Sequence, residues 1–199
     1  MRRKDVQIKD KSIMEDILNT SEYGTFALCK DNKPYSLPVN FVYIEDKVYF
    51  HGARKGKKKE YILANPLAYL SVSQPYSMIQ SYFSTDDGKA CPATHFFRSV
   101  FCDGEIKIVE DYDEKALALE LLMQKLQPEG KYIPLNDTIY KKMINATEVF
   151  RFDITEMTCK IKLGQNGSKE TFEKILVHLE ERGSDIDKQT VKMMREFEK

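Results

Sequence analysis

Three strand-like segments follow one another near the start of the chain, with only short polar turns between them. Segments 25–29, 35–43 and 47–51 are rich in β-branched and aromatic residues, and the turns at 30–33 and 45–46 separate them. Antiparallel strands can be joined by turns this short, whereas parallel strands need a crossover of about a dozen residues or more. The sequence therefore predicts an antiparallel meander in this part of the chain.

The rest of the chain lacks the regular alternation of strand and helix that a doubly wound sheet requires. Pro34 and Pro38 predict that the second strand has a free edge or a bulge, and Asp103-Gly104 predicts a bulge or bend within the segment 95–110. The polar segment 74–91 predicts a long loop that covers a site or contacts a partner. These features favour an α+β protein built on a small antiparallel barrel.

The further predicted strands are 67–72, 95–110 and 148–162. The predicted helices are 12–19, 57–65, 113–127, one that ends at Gly183 and one that ends near residue 198.

Side-chain spacing predicts where the helices begin and which faces they bury. Ser12–Glu15 has the capping-box pattern, so we expect the first helix to begin there. Ser184–Asp187 can cap the last helix in the same way, after Gly183 has ended the helix before it. The residues expected to face the core have helical spacing and are Leu117, Leu121, Leu122 and Leu126 in one helix and Phe172, Ile175, Leu176 and Leu179 in another.

Composition argues against several classes of protein. Lys plus Arg and Asp plus Glu number 31 each, so no overall field attracts nucleic acid or a membrane surface. No segment reaches the roughly 20 apolar residues of a membrane span, and no apolar signal-peptide run follows Met1–Asp5. The four cysteines and three histidines lack the spacing of metal ligands. We therefore expect no metal site, reduced thiols and a cytoplasmic location.

The densest group of basic residues lies between the third predicted strand and the helix that follows it. Gly52 and Gly56 let the backbone approach a ligand closely, and the first amides of the helix are free donors at the positive end of its dipole. Arg54, Lys55 and Lys57–Lys59 add up to five cations. This combination favours a phosphate monoester as ligand, although neither the GxxxxGK[ST] nor the GxGxxG pattern is present. The alternative is a solvated basic face on a surface helix.

Several short motifs occur in a characteristic order along residues 1–163. They are Pro34–Phe41, Tyr49–His51 with Gly56-Lys57, Asn65-Pro66, and Arg98–Val100 with Asp103-Gly104, and the opening Met1–Asp5, the Cys91 segment and Thr158–Lys160 also fit. Together they resemble the pyridoxamine 5′-phosphate oxidase-like family, and within it the nitroimidazole-resistance (Nim-type) branch. The resemblance implies a six-stranded antiparallel split β-barrel with flanking helices over residues 1–163. Residues 164–199 would then form a helical extension that packs on the barrel or on the partner subunit, or acts as a lid.

The same resemblance implies a bound flavin mononucleotide (FMN), with FAD as the alternative, at the interface of a homodimer. Gly56 and Lys57 would hold the phosphate with help from Arg54 and Lys58, and Lys160 would approach from the second subunit. The residues implied at the cofactor are Val39, Asn40, Phe50, His51, Gly52, Ala53, Arg54, Gly56, Lys57, Lys58, Arg98, Ser99 and Lys160.

His51 is the candidate catalytic residue that the resemblance implies. An imidazole with an ordinary pKa near 6.5 could protonate a reduced substrate at neutral pH. The alternative is a hydrogen-bonded structural histidine at the end of a strand. His95 and His178 have no comparable sequence context, and Cys91 and Cys102 are expected to be idle thiols.

The implied activity is that of an FMN-dependent oxidoreductase, which takes electrons from a small-molecule donor and passes them to a small acceptor such as a nitroaromatic or a quinone. Leu37 and Val42 stand where the oxidase branch has basic residues, which argues against pyridoxamine phosphate as substrate. One alternative is a non-catalytic flavin store. A haem-binding split barrel has less support, because it needs a histidine that is free to ligate iron and His51 lies beside the expected phosphate loop. A nucleic-acid role for residues 54–59 is the weakest alternative.

Overall fold

The computed structural model describes residues 4–197, which contain eight strands and six α-helices. The first three residues of the Met1–Asp5 motif and the predicted end of the last helix at residue 198 lie outside the described residues. The strands are β1 (Gln7–Ile8), β2 (Tyr23–Lys30), β3 (Lys33–Asn40), β4 (Val42–Ile44), β5 (Lys47–Gly52), β6 (Leu67–Ile79), β7 (Thr94–Val109) and β8 (Glu148–Lys162). The helices are α1 (Lys11–Thr20), α2 (Lys57–Ala64), α3 (Tyr112–Leu126), α4 (Lys141–Ala146), α5 (Lys169–Arg182) and α6 (Asp185–Glu196).

The predicted α+β class is confirmed, with eight strands in place of the six predicted. Hydrogen bonding orders the strands β3-β2-β6-β7-β8-β5-β4, and β1 pairs with β8. The short β1 was not predicted, and the second predicted strand is divided into β3 and β4 at Phe41. The Phe41 carbonyl accepts a hydrogen bond from Lys125 Nζ at 3.1 Å, so at this residue the backbone bonds to a side chain.

The antiparallel hairpins within the predicted meander are present, β2 with β3 and β4 with β5, and each is closed by a two-residue turn. The continuous meander is not, because β3 and β4 lie at opposite ends of the strand order. Asp31 and Asn32 have φ values of 50° and 58°, and Glu45 and Asp46 have 46° and 63°. Two successive left-handed residues form the turn that matches the twist of an antiparallel hairpin, and Asn and Asp tolerate that conformation better than most residues. The register follows, with Lys30 opposite Lys33 and Ile44 opposite Lys47.

Strand β3 is the first strand of the path and therefore lies at an edge of the sheet. Its two prolines, Pro34 and Pro38, are paired with Cys29 and Thr25 of β2. Proline lacks the N–H that a central strand must donate to both sides, so it is confined to edges and bulges. The edge position predicted for this segment is confirmed.

The chain forms two compact units, to which β6, β7 and β8 each contribute residues. One unit comprises residues 14–72 and 101–157 and is called the junction unit, because it contains the junction between β5 and α2. The other, called the C-terminal unit, comprises the residues up to 13, residues 73–100 and those from 158 onwards.

Aromatic rings form the centre of the junction unit. The Phe50 ring lies 4.9 Å from that of Phe26 and 5.1 Å from that of Phe150, and Phe152 packs edge-on against Phe26 at 5.1 Å. All four side chains are buried. Because Phe50 and Phe150 are opposite each other in the β5–β8 pairing, this cluster fixes the end of β5.

Gly104 lies where β7 passes very close to β8 in the junction unit. A Cβ atom at this position would lie 2.2 Å from the carbonyl oxygen of Asp153 and 2.9 Å from the Phe152 ring. Strand β7 runs without interruption through Asp103-Gly104, where a bulge or bend was predicted. The glycine is therefore explained by the contact between backbones.

In the C-terminal unit, α5 and α6 follow the sequence prediction closely. Phe172, Ile175, Leu176 and Leu179 are buried as predicted. Gly183 is left-handed with a φ of 64° and ends α5, and Ser184 and Asp187 form the predicted capping box of α6. The Asp187 side chain is fully buried and accepts hydrogen bonds from Ser77 Oγ, Ser184 and the Arg182 guanidinium.

Several sequence predictions are wrong in detail. Helix α1 begins at Lys11, and its first turn is capped by Asp10 Oδ1, which accepts from the Ser12 amide at 2.9 Å. In α3, Leu117 and Leu126 are more than half exposed, because the helix packs on β5 and β7 through Ala118. Of the other two leucines predicted to face the core, Leu121 is half-buried and Leu122 is buried.

The segment 74–91 is a loop only in its second part, since β6 continues to Ile79. Ser77 is buried there because its amide and hydroxyl bond to Thr190 and Asp187 of α6. The short helix α4 was not predicted. In the part of the chain that the structure describes, no helix has the length and apolar character needed to cross a bilayer.

Candidate functional site

The junction between β5 and α2 has the backbone geometry of an anion cradle. Strand β5 ends at Gly52, and Gly56 occupies the N-cap of α2 with a φ of 121°, which residues with a side chain rarely adopt. Among the described residues no side chain caps this helix. The amides of its first turn are therefore available to a ligand at the positive end of the helix dipole.

Lys58 folds back over this junction. Its Nζ donates to the His51 carbonyl at 3.2 Å and lies 5.1 Å from the centre of the Phe150 ring. A Cβ atom on Gly52 would lie 1.9 Å from that same Nζ, so the absence of a side chain at residue 52 makes room for the lysine. Burial lowers the pKa of the Lys58 amine below its ordinary value.

The neighbouring lysines have different partners. Lys57 Nζ lies 4.5 Å above the centre of the Tyr35 ring, while Lys59 Nζ forms an ion pair of 2.6 Å with Glu148, whose side chain is buried. Arg54 and Lys55 are exposed. Residues 54–59 are therefore not a uniformly solvated basic face, because Lys58 and Lys59 bond to residues at the ends of β5 and β8.

His51 lies on the opposite face of β5 from Phe50, so its side chain points away from the aromatic cluster. The imidazole is one wall of a cavity of about 330 Å³ formed mainly by α3, α4 and the segment between them. Burial, and secondly the positive charge of Lys58, lower the pKa of His51 below 6.5. The lowered pKa favours the neutral imidazole, which has one nitrogen that donates and one that accepts.

The lowered pKa of His51 predicts a contribution to the pH dependence of stability. As the pH falls through about 6.5, the unfolded chain takes up this proton before the folded chain does, so the folded state loses stability. We expect His51→Gln to remove that part of the slope. Urea unfolding of the wild type and the variant between about pH 5 and pH 8 measures the difference. Identical slopes would contradict the assignment.

Val39 and Asn40, also predicted at the cofactor, lie at the end of β3. Val39 is half-buried, and Asn40 Nδ2 donates to the Glu22 carbonyl at 3.0 Å. Asn40 shares the wall of a second cavity, of about 380 Å³, with Lys125 of α3. The Lys125 amine donates to the Leu18 and Phe41 carbonyls, and burial lowers its pKa to about 8.

Sequence reasoning missed Lys125 and the walls of both cavities. A signal existed for Lys125, because it lies between Leu122 and Leu126 on the predicted apolar stripe of α3. A lysine in that position either extends its amine to solvent or finds hydrogen-bond partners inside the protein. Lys125 does the latter, because its amine donates to the carbonyls of Leu18 and Phe41. No comparable local signal marks α4.

Three predicted residues, Arg98, Ser99 and Lys160, belong to the C-terminal unit. Arg98 Nε donates to Gln74 Oε1, and Lys160 is opposite Gln7 in the pairing of β8 with β1. Ser99 is 1% exposed, and its Oγ has no hydrogen-bond partner in the structure. A buried hydroxyl without a partner is rare and points to a ligand or an ordered water.

These observations fit a phosphorylated organic cofactor better than a metal. In the junction unit, the uncapped amides, the glycine at residue 56 and the nearby cations suit a phosphate group. In the C-terminal unit, taken by itself, the orphaned hydroxyl of Ser99 suits a polar ligand atom or an ordered water. Within residues 4–197, no group of three or more His, Cys, Asp or Glu side chains is arranged to hold a metal ion. Cys102 is buried, and burial raises its pKa to about 12.

Solved structures share this fold at low sequence identity. A candidate 5-nitroimidazole antibiotic resistance protein from Bacteroides thetaiotaomicron is 22% identical, with a TM-score of 0.65 over 78% of this chain and 86% of that one. The flavocytochrome Anf3 from Azotobacter vinelandii is 22% identical, with a TM-score of 0.68 over 87% of this chain and 77% of that one. The FAD and heme binding protein from Mycobacterium smegmatis is 19% identical, with a TM-score of 0.65 over 86% and 79%.

These similarities establish a common fold, and the family follows from a separate comparison. No curated protein matches the chain. The family model described as pyridoxamine 5′-phosphate oxidase matches residues 10–161, which include β2 to β7 and almost all of β8. Since that match covers well over half of the sequence, the chain belongs to the pyridoxamine 5′-phosphate oxidase family.

Proposed function

We propose that this protein binds a flavin, with FMN preferred over FAD, and uses it as an oxidoreductase. The observation that carries the proposal is the junction between β5 and α2, where the uncapped helix and Gly56 offer free amides to one phosphate group. Family membership supports the same conclusion. So do the compared structures, two of which are described as a flavocytochrome and as an FAD and heme binding protein.

Each residue of the junction has a distinct part in this proposal. The first amides of α2 bind the phosphate, and Lys57, Lys58 and Arg54 supply positive charge beside it. A single anion cradle favours a monophosphate, which is the reason to prefer FMN. When bound, the flavin supplies electron transfer to a small acceptor. Neutral His51, adjacent to the cradle, can donate a hydrogen bond from one ring nitrogen and accept a proton at the other.

Nitroaromatics and quinones are the acceptors we propose, with a small-molecule electron donor. Both acceptor classes have oxygen atoms that need a hydrogen-bond donor as they gain electrons, and the His51 imidazole can provide one. The homodimer implied by the resemblance stays a proposal, as do the participation of Arg98, Ser99 and Lys160 and the division into a domain of residues 1–163 and an extension of residues 164–199.

The phosphate assignment predicts which lysines control flavin affinity. Lys57→Met and Lys58→Met are each expected to weaken FMN binding by about tenfold or more, because a hydrogen bond to a charged group contributes about 1.5–3 kcal/mol. Fluorescence quenching of FMN titrated with apoprotein measures the affinity. Lys55→Met is the matched control, since it removes the same charge from an exposed residue of the same segment. Unchanged affinity in both test variants would show that the phosphate binds elsewhere.

Absorbance spectra distinguish the proposal from its alternatives. The purified protein is expected to show the two visible bands of oxidised flavin, whereas a haem protein would show a Soret band. Adding NADH or NADPH without oxygen should then bleach the flavin, and adding a nitroaromatic or quinone should restore it. A protein that keeps its flavin oxidised with every donor would be a flavin store.

A further inference from the structure

The cavity beside His51 has the size and lining of a small-molecule site. Its volume of about 330 Å³ lies within the range of about 300–1,000 Å³ that ligand pockets occupy. Its walls come from α3, from α4 and from the segment that joins them, so it is a concave site and not a flat surface. The lining residues that matter here are His51, Leu119, Met123, Tyr132, Tyr140 and Met143.

The lining restricts the charge of a ligand. Apart from His51, no described residue that lines the cavity has an acidic or basic side chain, and the lowered pKa of His51 favours its neutral form. An ionised ligand would therefore lose hydration here without gaining a partner of opposite charge, which is costly. The cavity accordingly suits an uncharged molecule.

The polar groups of the wall restrict the ligand further. The Tyr132 hydroxyl already donates to Glu120 at 3.0 Å, and the Thr147 hydroxyl donates to the Met143 carbonyl at 2.9 Å. The imidazole therefore remains as a polar group that a ligand can reach from inside the cavity. Methionine sulfur and tyrosine rings both make favourable contacts with aromatic rings, and Met123, Met143 and Tyr140 contribute such groups.

We propose that this cavity binds an uncharged, flat aromatic molecule whose carbonyl or nitro oxygen accepts a hydrogen bond from His51. This inference rests on the proposed function, for which it supplies the site and the chemical class of the acceptor. His51 adjoins both sites, since its carbonyl accepts from Lys58 of the junction and its side chain lines the cavity.

Menadione, an uncharged bicyclic quinone, is the probe that tests the inference. Calorimetric titration of the flavin-loaded wild-type protein is expected to show saturable binding of one menadione per chain. Met123→Trp and Met143→Trp fill the cavity from α3 and from α4. Each is expected to weaken menadione binding by about tenfold or more, because the ligand loses a well-packed aromatic contact. Met143 is 56% exposed, so its replacement is tolerated even if that of Met123 prevents folding.

Leu117→Trp is the matched control for these variants. Leu117 lies on the same helix, is 55% exposed and does not line the cavity, so this variant should bind menadione as the wild type does. Equal affinity in all three variants would overturn the inference. The charged analogue 2-naphthoate should bind at least about tenfold more weakly than menadione, because no cation in the wall compensates its carboxylate. Equal or tighter binding of 2-naphthoate would show that the assigned ligand class is wrong.

The flavin provides an independent readout in the same experiment. If the protein binds flavin but not menadione, the inference fails and the proposed function stands. If the protein binds menadione and no flavin, the cavity assignment stands and the proposed function fails. Displacement of flavin by menadione would make the cavity part of the cofactor site, and hemin binding that requires His51 and excludes menadione would make it a haem site. Either result would overturn the inference.

Discussion

Gly104→Ala is expected to lower the free energy of unfolding by about 3 kcal/mol, the upper part of the range for overpacked cores. The new methyl carbon would lie 2.2 Å from the Asp153 carbonyl oxygen, which belongs to the backbone and cannot rotate away as a side chain can. Relief therefore requires β7 and β8 to separate locally. Because Phe152 also contacts this position, the disturbance reaches the aromatic cluster that holds the end of β5.

Urea denaturation measures this effect, with an unchanged m-value indicating that only the native state is altered. Glu105→Ala is the control, because it leaves the same methyl side chain at an exposed residue of the same strand and should cost less than about 1 kcal/mol. We also expect Gly104→Ala to weaken flavin binding, since the junction begins where β5 ends. A loss of stability no larger than that of the control would mean that the two strands separate freely at this point.

Asp187→Asn is expected to lower the free energy of unfolding by about 3 kcal/mol, as removal of one partner from a buried ion pair does. The carboxylate is fully buried and accepts from Arg182, Ser184 and Ser77, so it joins α6 to α5 and to the end of β6. The amide keeps the shape of the side chain but cannot balance the Arg182 charge. Asp185→Asn, two residues earlier at an exposed position, should change stability by less than about 0.5 kcal/mol.

The pH dependence of this effect has a definite sign. Hydrogen bonds from Arg182 hold the pKa of Asp187 well below its usual range. The stabilisation is therefore complete above the unfolded pKa of about 3.9 and declines as the pH falls below it. Urea unfolding of wild type and Asp187→Asn should give a difference that narrows below about pH 4. A difference that stays constant into strong acid would rule out the ionised pair as its source.

Local chemistry explains which parts of the fold could be read from the sequence. The hairpin turns at Asp31-Asn32 and Glu45-Asp46 were predictable because each is a short polar stretch between two strand-like segments, and Asp31, Asn32 and Asp46 are residues that tolerate left-handed backbone. The capping box at Ser184 was predictable for the same reason. The identical pattern at Ser12 failed because Asp10, two residues earlier, competes for the same amide.

Contacts between distant segments explain what the sequence did not reveal. Strand β6 continues to Ile79 because Ser77 finds partners in α6, more than a hundred residues later, and no local pattern encodes that contact. The predicted face of α3 was shifted because β5 and β7 determine which side is covered. For the site, the glycines and lysines of the junction were identifiable, whereas the cavity beside His51 depends on the position of α4.

The prolines of β3 restrict how copies of this protein can associate. A strand at the margin of a sheet ordinarily offers its N–H groups as a template on which another chain can add a strand, and this is a common route to aggregation. Residues 34 and 38 of β3 have no N–H to offer, so the ladder is interrupted twice within eight residues. Growth of the sheet by strand addition is thereby discouraged on this side. Self-association on this side must instead use side chains, whose shape and charge can select one partner.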